Sequence, residues 1–134
     1  MSVPADLKYT KDHEWTLSRA GAAGAEMTIG ITAFAVEQLG DITLVNLDVK
    51  VGDPIESGKA FGTIESVKTL SDLFAPVSGK VVEINKDLDA KPELVNEDCY
   101  GKAWMVVIES TDTSSLSALL DEKAYAEHVK ESAH

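Results

Sequence analysis

The sequence predicts a mainly β domain with C-terminal helices, and three observations carry the prediction. Short runs rich in Val, Ile, Thr and Leu recur at 27–31, 41–47, 61–65, 70–77, 80–85 and 104–109, with Gly, Pro and polar turns between them. Two of these runs, 61–65 and 70–77, are separated only by Ser66, Val67, Lys68 and Thr69, which reads as a hairpin with Lys68 at its tip. Near the end, Leu116, Leu119 and Leu120 fall at helical spacing behind the cap candidates Thr111, Asp112, Thr113 and Ser114.

Taken in order, residues 7–17 form a polar turn leading into a strand that carries Trp15. His13 lies between Asp12 and Glu14, but adjacent strand residues point to opposite faces, which makes it a solvated or capping side chain rather than a ligand. Residues 19–26 read as a small-residue loop, and 27–31 as the second strand. Thr32 is placed to cap a helix over 33–39, which Gly40 ends. Residues 41–47 carry apolar side chains on both faces, with Ile42, Leu44 and Asn46 on one and Thr43, Val45 and Leu47 on the other, so a buried central strand is expected.

Turn-rich 51–58 leads into the hairpin, and the Pro76–Gly79 stretch ends it. A strand at 80–85 follows, then a polar loop over 86–97 with at most one helical turn, then the last strand at 104–109. The halves on either side of the hairpin share a strand, Gly turn, strand grammar that suggests a pseudo-symmetric pair of sheets. Asp121 caps a final helix over 122–131, in which Tyr125 and Val129 lie four apart.

At 134 residues the chain suits one domain, with 112–134 as a helical extension. Its 12 basic residues against 23 acidic ones give a net charge of −11, which argues against nucleic acid and anionic lipid; it allows docking onto basic protein surfaces, and is by itself first of all a route to solubility. The lone Cys99 can form neither an internal disulfide nor a thiolate cluster, and no metal site is expected. No apolar run approaches the roughly 20 residues of a membrane span, and the N-terminus has no leader character. A cytoplasmic monomer is expected, or a mitochondrial one if a leader has been removed.

Glu65-Ser66-Val67-Lys68 with Ser71-Asp72 and Pro76-Val77-Ser78-Gly79 resembles the lipoyl-lysine segment of the glycine cleavage system H protein family. The resemblance runs through Lys8-Tyr9, His13-Glu14-Trp15, Gly30-Ile31-Thr32, Gln38-Leu39-Gly40-Asp41, Pro92 to Asn96, Tyr100-Gly101 and Trp104, in the family's order. It implies a barrel-sandwich hybrid of two small antiparallel sheets, like a lipoyl domain, with lipoate in amide linkage on Lys68. Glu65, Ser66, Val67, Ser71 and Asp72 would then be read by a lipoate ligase or lipoyl transferase.

The family is a carrier and not an enzyme. Its arm visits a pyridoxal-phosphate glycine decarboxylase, a tetrahydrofolate-dependent aminomethyltransferase and a dihydrolipoyl dehydrogenase. An amine-bearing arm gains from a water-excluding cleft with a carboxylate, a role that the resemblance gives to Glu14, with Asp12 and Thr32 as further candidates on the same wall. Thr69, Leu70, Ala33, Asp48 and Cys99 depart from the family's usual residues, and Ala33 removes a polar group from the expected cleft. Competing readings are a lipoyl domain of a 2-oxoacid dehydrogenase, a biotinyl domain, an adaptor donating lipoyl groups to other enzymes, and an unmodified structural homologue.

Overall fold

The computed structural model describes residues 4–20, 25–110 and 119–132. In chain order its elements are β1 (Lys8–Tyr9), β2 (Glu14–Ala20), β3 (Ala25–Ile31), α1 (Ala33–Leu39), β4 (Ile42–Leu47), β5 (Pro54–Ile55) and β6 (Ala60–Ser66). They continue with β7 (Leu70–Phe74), β8 (Gly79–Ile84), α2 (Asp87–Ala90), α3 (Leu94–Glu97), β9 (Val106–Ser110) and α4 (Glu122–Ser132).

The strands form two antiparallel sheets, one of six in the order β1-β2-β3-β9-β8-β5 and one of three in the order β4-β6-β7. Their apolar side chains meet in one core, with Met27 and Ile29 from β3, Val45 from β4, Ile64 from β6, Leu73 from β7 and Ile108 from β9 all buried. The halves interleave instead of forming a symmetric pair, because β9 pairs with β3 and β8 pairs with β5 of the first half. The strands β2 and β3 also run further into the expected loop, pairing as far as Ala20 and Ala25.

A second, aromatic cluster holds the C-terminal helix against the first two strands. Leu7, Tyr9, Trp15 and Tyr125 are buried there, and the Tyr9 and Tyr125 rings stack with centroids 4.5 Å apart. Trp15 lies over its cross-strand partner Gly30, where any Cβ would come within 2.6 Å of the indole, so only glycine fits beneath it. Its indole N–H donates to the Cys99 carbonyl at 2.9 Å. The helix expected through Leu116 falls mostly on 111–118, outside the described residues. Leu120 is extended rather than helical, exchanging both backbone hydrogen bonds with Tyr9 at 2.8 Å.

The strand β4 is not the central strand its composition suggests. It is an edge of the three-stranded sheet, and a bulge between Ile42 and Leu44 reverses its alternation. Ile42 and Val45 are consequently buried three residues apart, while Leu44 turns outward and is 46% exposed. The polar loop after β8 holds two single helical turns, α2 and α3, rather than at most one. Each inserts one apolar residue into the core, Leu88 and Val95 respectively.

Candidate functional site

Lys68 occupies the tip of the β6–β7 hairpin, and Ser66 shapes that tip. The Ser66 hydroxyl accepts from the backbone N–H groups of Lys68 and Thr69, each at 3.2 Å, while the Ser66 N–H donates to the Thr69 carbonyl at 2.8 Å. These bonds close the turn around a small buried hydroxyl. Ser66 therefore serves the backbone of the segment, whereas Glu65 and Val67 beside it are exposed.

The Lys68 side chain folds back over Gly40, the residue that ends α1. Gly40 has φ 81° and ψ −150°, a conformation that a side chain disfavours. A Cβ built there would lie 3.4 Å from Lys68 Cε and 3.9 Å from Nζ. The Val67 N–H also donates to the Asp41 carbonyl at 3.1 Å, tying the tip to the same turn. Asn96 of α3 braces that turn from behind, its Nδ2–H donating to the Gly40 carbonyl and its Oδ1 accepting from the Ile42 N–H, both at 2.9 Å.

Between α1 and β7 opens a cleft of about 280 Å³. Phe34, Gln38 and Leu39 of α1 form one wall, Ser71, Asp72 and Leu73 of β7 another, and Asp12, His13 and Glu14 the end. Leu39 of its lining is next in sequence to Gly40, and Ser71 lies three residues beyond Lys68, although neither Gly40 nor Lys68 itself lines the cleft.

Glu14 is 2% exposed. The Thr10 hydroxyl donates to its Oε1 at 2.7 Å, and the Phe74 N–H reaches Oε2 at 3.4 Å. Burial pushes its carboxyl up to about 8, with help from the nearby negative Asp12 and against the pull of those two donors. At pH 7 the carboxyl is therefore mostly protonated.

His13 is half-buried rather than solvated. Its Nδ1 lies 2.8 Å from the Tyr125 hydroxyl, and its ring packs against Phe34 and His128. Burial and the adjacent His128 lower its pKa, only partly offset by Asp12, and a neutral imidazole follows at pH 7. The positive φ of His13, 70°, turns the chain sharply before β2. That turn lets His13 and Glu14 border the same cleft, which strand alternation alone forbids.

Of the three cleft candidates, Asp12 and Glu14 line the space, but Thr32 stands behind it. Thr32 is fully buried, capping α1 through the Ala35 N–H at 3.3 Å and contacting the Tyr125 hydroxyl at 2.7 Å. The backbone N–H of Ala33 donates to the Tyr100 hydroxyl at 3.0 Å, and Ala33 does not line the cleft. Cys99 is half-buried, and its thiol is pushed up to about 11 by that burial, so it is no thiolate.

Sequence reasoning missed Thr10, Asn96, Tyr125 and His128 as parts of this neighbourhood. Thr10 is the one with a local signal, four residues before Glu14 across a turn. The Tyr125–His13 contact spans 112 positions and has none. Among the described residues no group of His, Cys, Asp and Glu is arranged to hold a metal ion, and no helix is long and apolar enough to cross a membrane.

Comparison with known proteins agrees with the geometry. A family model described as glycine cleavage H-protein matches residues 7–132. Glycine cleavage system H proteins of Anaeromyxobacter sp. (strain K) and Bacillus licheniformis are 48% and 47% identical over 131 residues, covering 98% of this chain and 98% and 99% of theirs. That of Staphylococcus saprophyticus is 50% identical over 131 residues, covering 98% of this chain and 100% of its own. A crystal structure of a glycine cleavage system H protein from Mycobacterium marinum superimposes with a TM-score of 0.82 at 36% identity, over 98% of this chain and 100% of that one. The fold is the barrel-sandwich hybrid, and the chain belongs to the glycine cleavage H-protein family.

Proposed function

We propose that Lys68 carries lipoate in amide linkage and that this chain is the mobile substrate of the glycine cleavage system, catalysing nothing by itself. One observation carries the reading: an exposed hairpin lysine lies over Gly40, on the same hairpin and the same helix end whose neighbouring residues Ser71 and Leu39 line a cleft that holds a buried carboxyl, Glu14. Among the described residues Lys68 has no ion pair, so its amine is available for acylation.

When bound, lipoate supplies an electrophilic disulfide that takes up an aminomethyl group, yields it as a one-carbon unit and returns to the disulfide by two-electron oxidation. The chain meets glycine decarboxylase, the aminomethyltransferase and dihydrolipoyl dehydrogenase in turn, its acidic surface suiting basic docking faces. A lipoate ligase or lipoyl transferase reads the exposed flank of the hairpin before any of them. A cytosolic setting fits the reading.

The cleft protects an amine by apolar walls at Phe34, Leu39 and Leu73, which exclude water from it. Glu14 receives the ammonium. Because burial holds its carboxyl mostly protonated, arrival of a cation drives it to ionise, and loading is coupled to release of a proton. Thr10 and the Phe74 N–H hold the carboxylate so formed. Asp12, exposed at the rim, attracts the cation without binding it tightly.

Intact mass of the protein from its own cells, beside the Lys68→Ala variant, tests the reading. A lipoyl-sized addition in the first and none in the second supports it. A biotin-sized addition transfers the chain to the biotin carriers, and no addition in cells with lipoate and a ligase defeats the carrier reading.

A further inference from the structure

The outer face of the three-stranded sheet carries an apolar row at the hairpin end. In the register of that sheet Leu44 of β4 is paired with Glu65 of β6, and Glu65 with Leu70 of β7. Direct partners in antiparallel strands point to the same side with Cα atoms about 5 Å apart, so the three form one line across the sheet. Leu44 is 46% exposed, Leu70 64%, and Val67 at the adjoining tip 67%. The row depends on the β4 bulge, without which Leu44 would share the buried face of Ile42.

We propose that this row is the docking surface for the enzyme that acylates Lys68. The assignment rests on the carrier reading above and extends the recognised surface from the hairpin onto β4. Geometry selects the occupant. Enzymes that process the loaded arm meet its far end, whereas the acylating enzyme must bring its reactive centre to Lys68 Nζ and so cover the residues on either side of the tip.

In that step the Lys68 nitrogen attacks the acyl carbon of a lipoyl adenylate, forming the amide as the bond to AMP breaks. AMP leaves with the electron pair, and the nitrogen's proton passes to solvent. Charge defines the partner's face. Glu65 stands between two exposed leucines with no cationic partner among the described residues, so covering the row demands a basic side chain opposite it, ringed by apolar ones.

The test uses unlipoylated protein, purified lipoate ligase, lipoate and ATP, with initial rates followed by intact mass. Leu44→Ser and Leu70→Ser are each expected to raise KM about tenfold with little change in kcat, the loss of one buried leucine contact. Glu65→Lys is expected to do so more strongly. Val51→Ser, which removes an equally exposed apolar residue away from the row, is expected to leave both constants unchanged. Thermal melting checks that each variant folds. Acylation of Leu44→Ser at wild-type KM overturns the proposal while leaving the carrier reading intact, and a wild-type chain that is never acylated overturns both.

Discussion

The Thr10 hydroxyl donates to Glu14 Oε1 across 2.7 Å while its own oxygen accepts from the N–H groups of Asp12 and Glu14, each at 3.2 Å. One side chain thereby shapes the turn before β2 and orients the carboxyl at the end of the cleft. It also favours the ionised carboxylate, opposing burial. Thr10→Val is expected to move the Glu14 pKa upward from about 8, read by carboxyl NMR titration. A downward or absent shift would show that the hydroxyl does not act on the charge.

Glu14 itself should make stability depend on pH. Its folded pKa of about 8 lies above the ordinary glutamate value of 4.5, so between these the folded state holds a proton that the unfolded state has lost. The contribution is fully present below pH 4.5 and is lost as pH rises through 8. Glu14→Gln keeps the shape, cannot ionise and is expected to be more stable than wild type at pH 8.5 by about 2 kcal/mol or more, with little difference at pH 4. Urea melts at the two pH values measure this.

The loaded form should show the coupling directly. With an ammonium in the cleft, the Glu14 pKa is expected to fall below 7, and calorimetry in buffers of different ionisation enthalpy should detect a released proton when a small primary ammonium ion is added at pH 7. A pKa that stays near 8 in the loaded protein would remove Glu14 from the role proposed for it.

Tyr125 links α4 to the cleft through contacts to His13 Nδ1 and Thr32 Oγ1. Tyr125→Phe retains the ring stacked on Tyr9 but strips a partner from both polar atoms, at a cost of about 1–3 kcal/mol. Thermal melting gives the loss, and hydrogen exchange in α4 should rise with it. The lowered His13 pKa implies a further loss on acidification below the ordinary histidine value of 6.5, where the unfolded chain takes up a proton that the folded one resists.

Asn96→Ala removes both bonds that brace the turn at 40–42. A destabilisation of about 1–2 kcal/mol is expected, with faster exchange at the Ile42 N–H than at core amides such as that of Ile64. Equal acceleration at both amides would mean a global effect and no local brace.

Much of this was legible in the sequence because it is local. The hairpin, the α1 cap at Thr32, the stop at Gly40 and the helix around Tyr125 all follow from residues within a few positions of one another. The phase of β4 was not legible, because a bulge leaves alternation unreadable until the partner strand is known. Glu14 as a residue reads like any surface carboxylate, and only the family resemblance marked it. One of the donors to its carboxyl, the Phe74 N–H of β7, lies 60 positions away. Thr32 was assigned to the cleft although its hydroxyl is already committed to capping α1 and to Tyr125.

Gly40 gives the lysine a resting place made of bare backbone. The alkyl chain of Lys68 passes over it, where a Cβ would meet Lys68 Cε at 3.4 Å. Among the described residues the amine has no ion pair to break when an enzyme lifts it away. On the carrier reading proposed above, the root of the arm is therefore left unclamped by charge, and the work of holding cargo falls on the cleft.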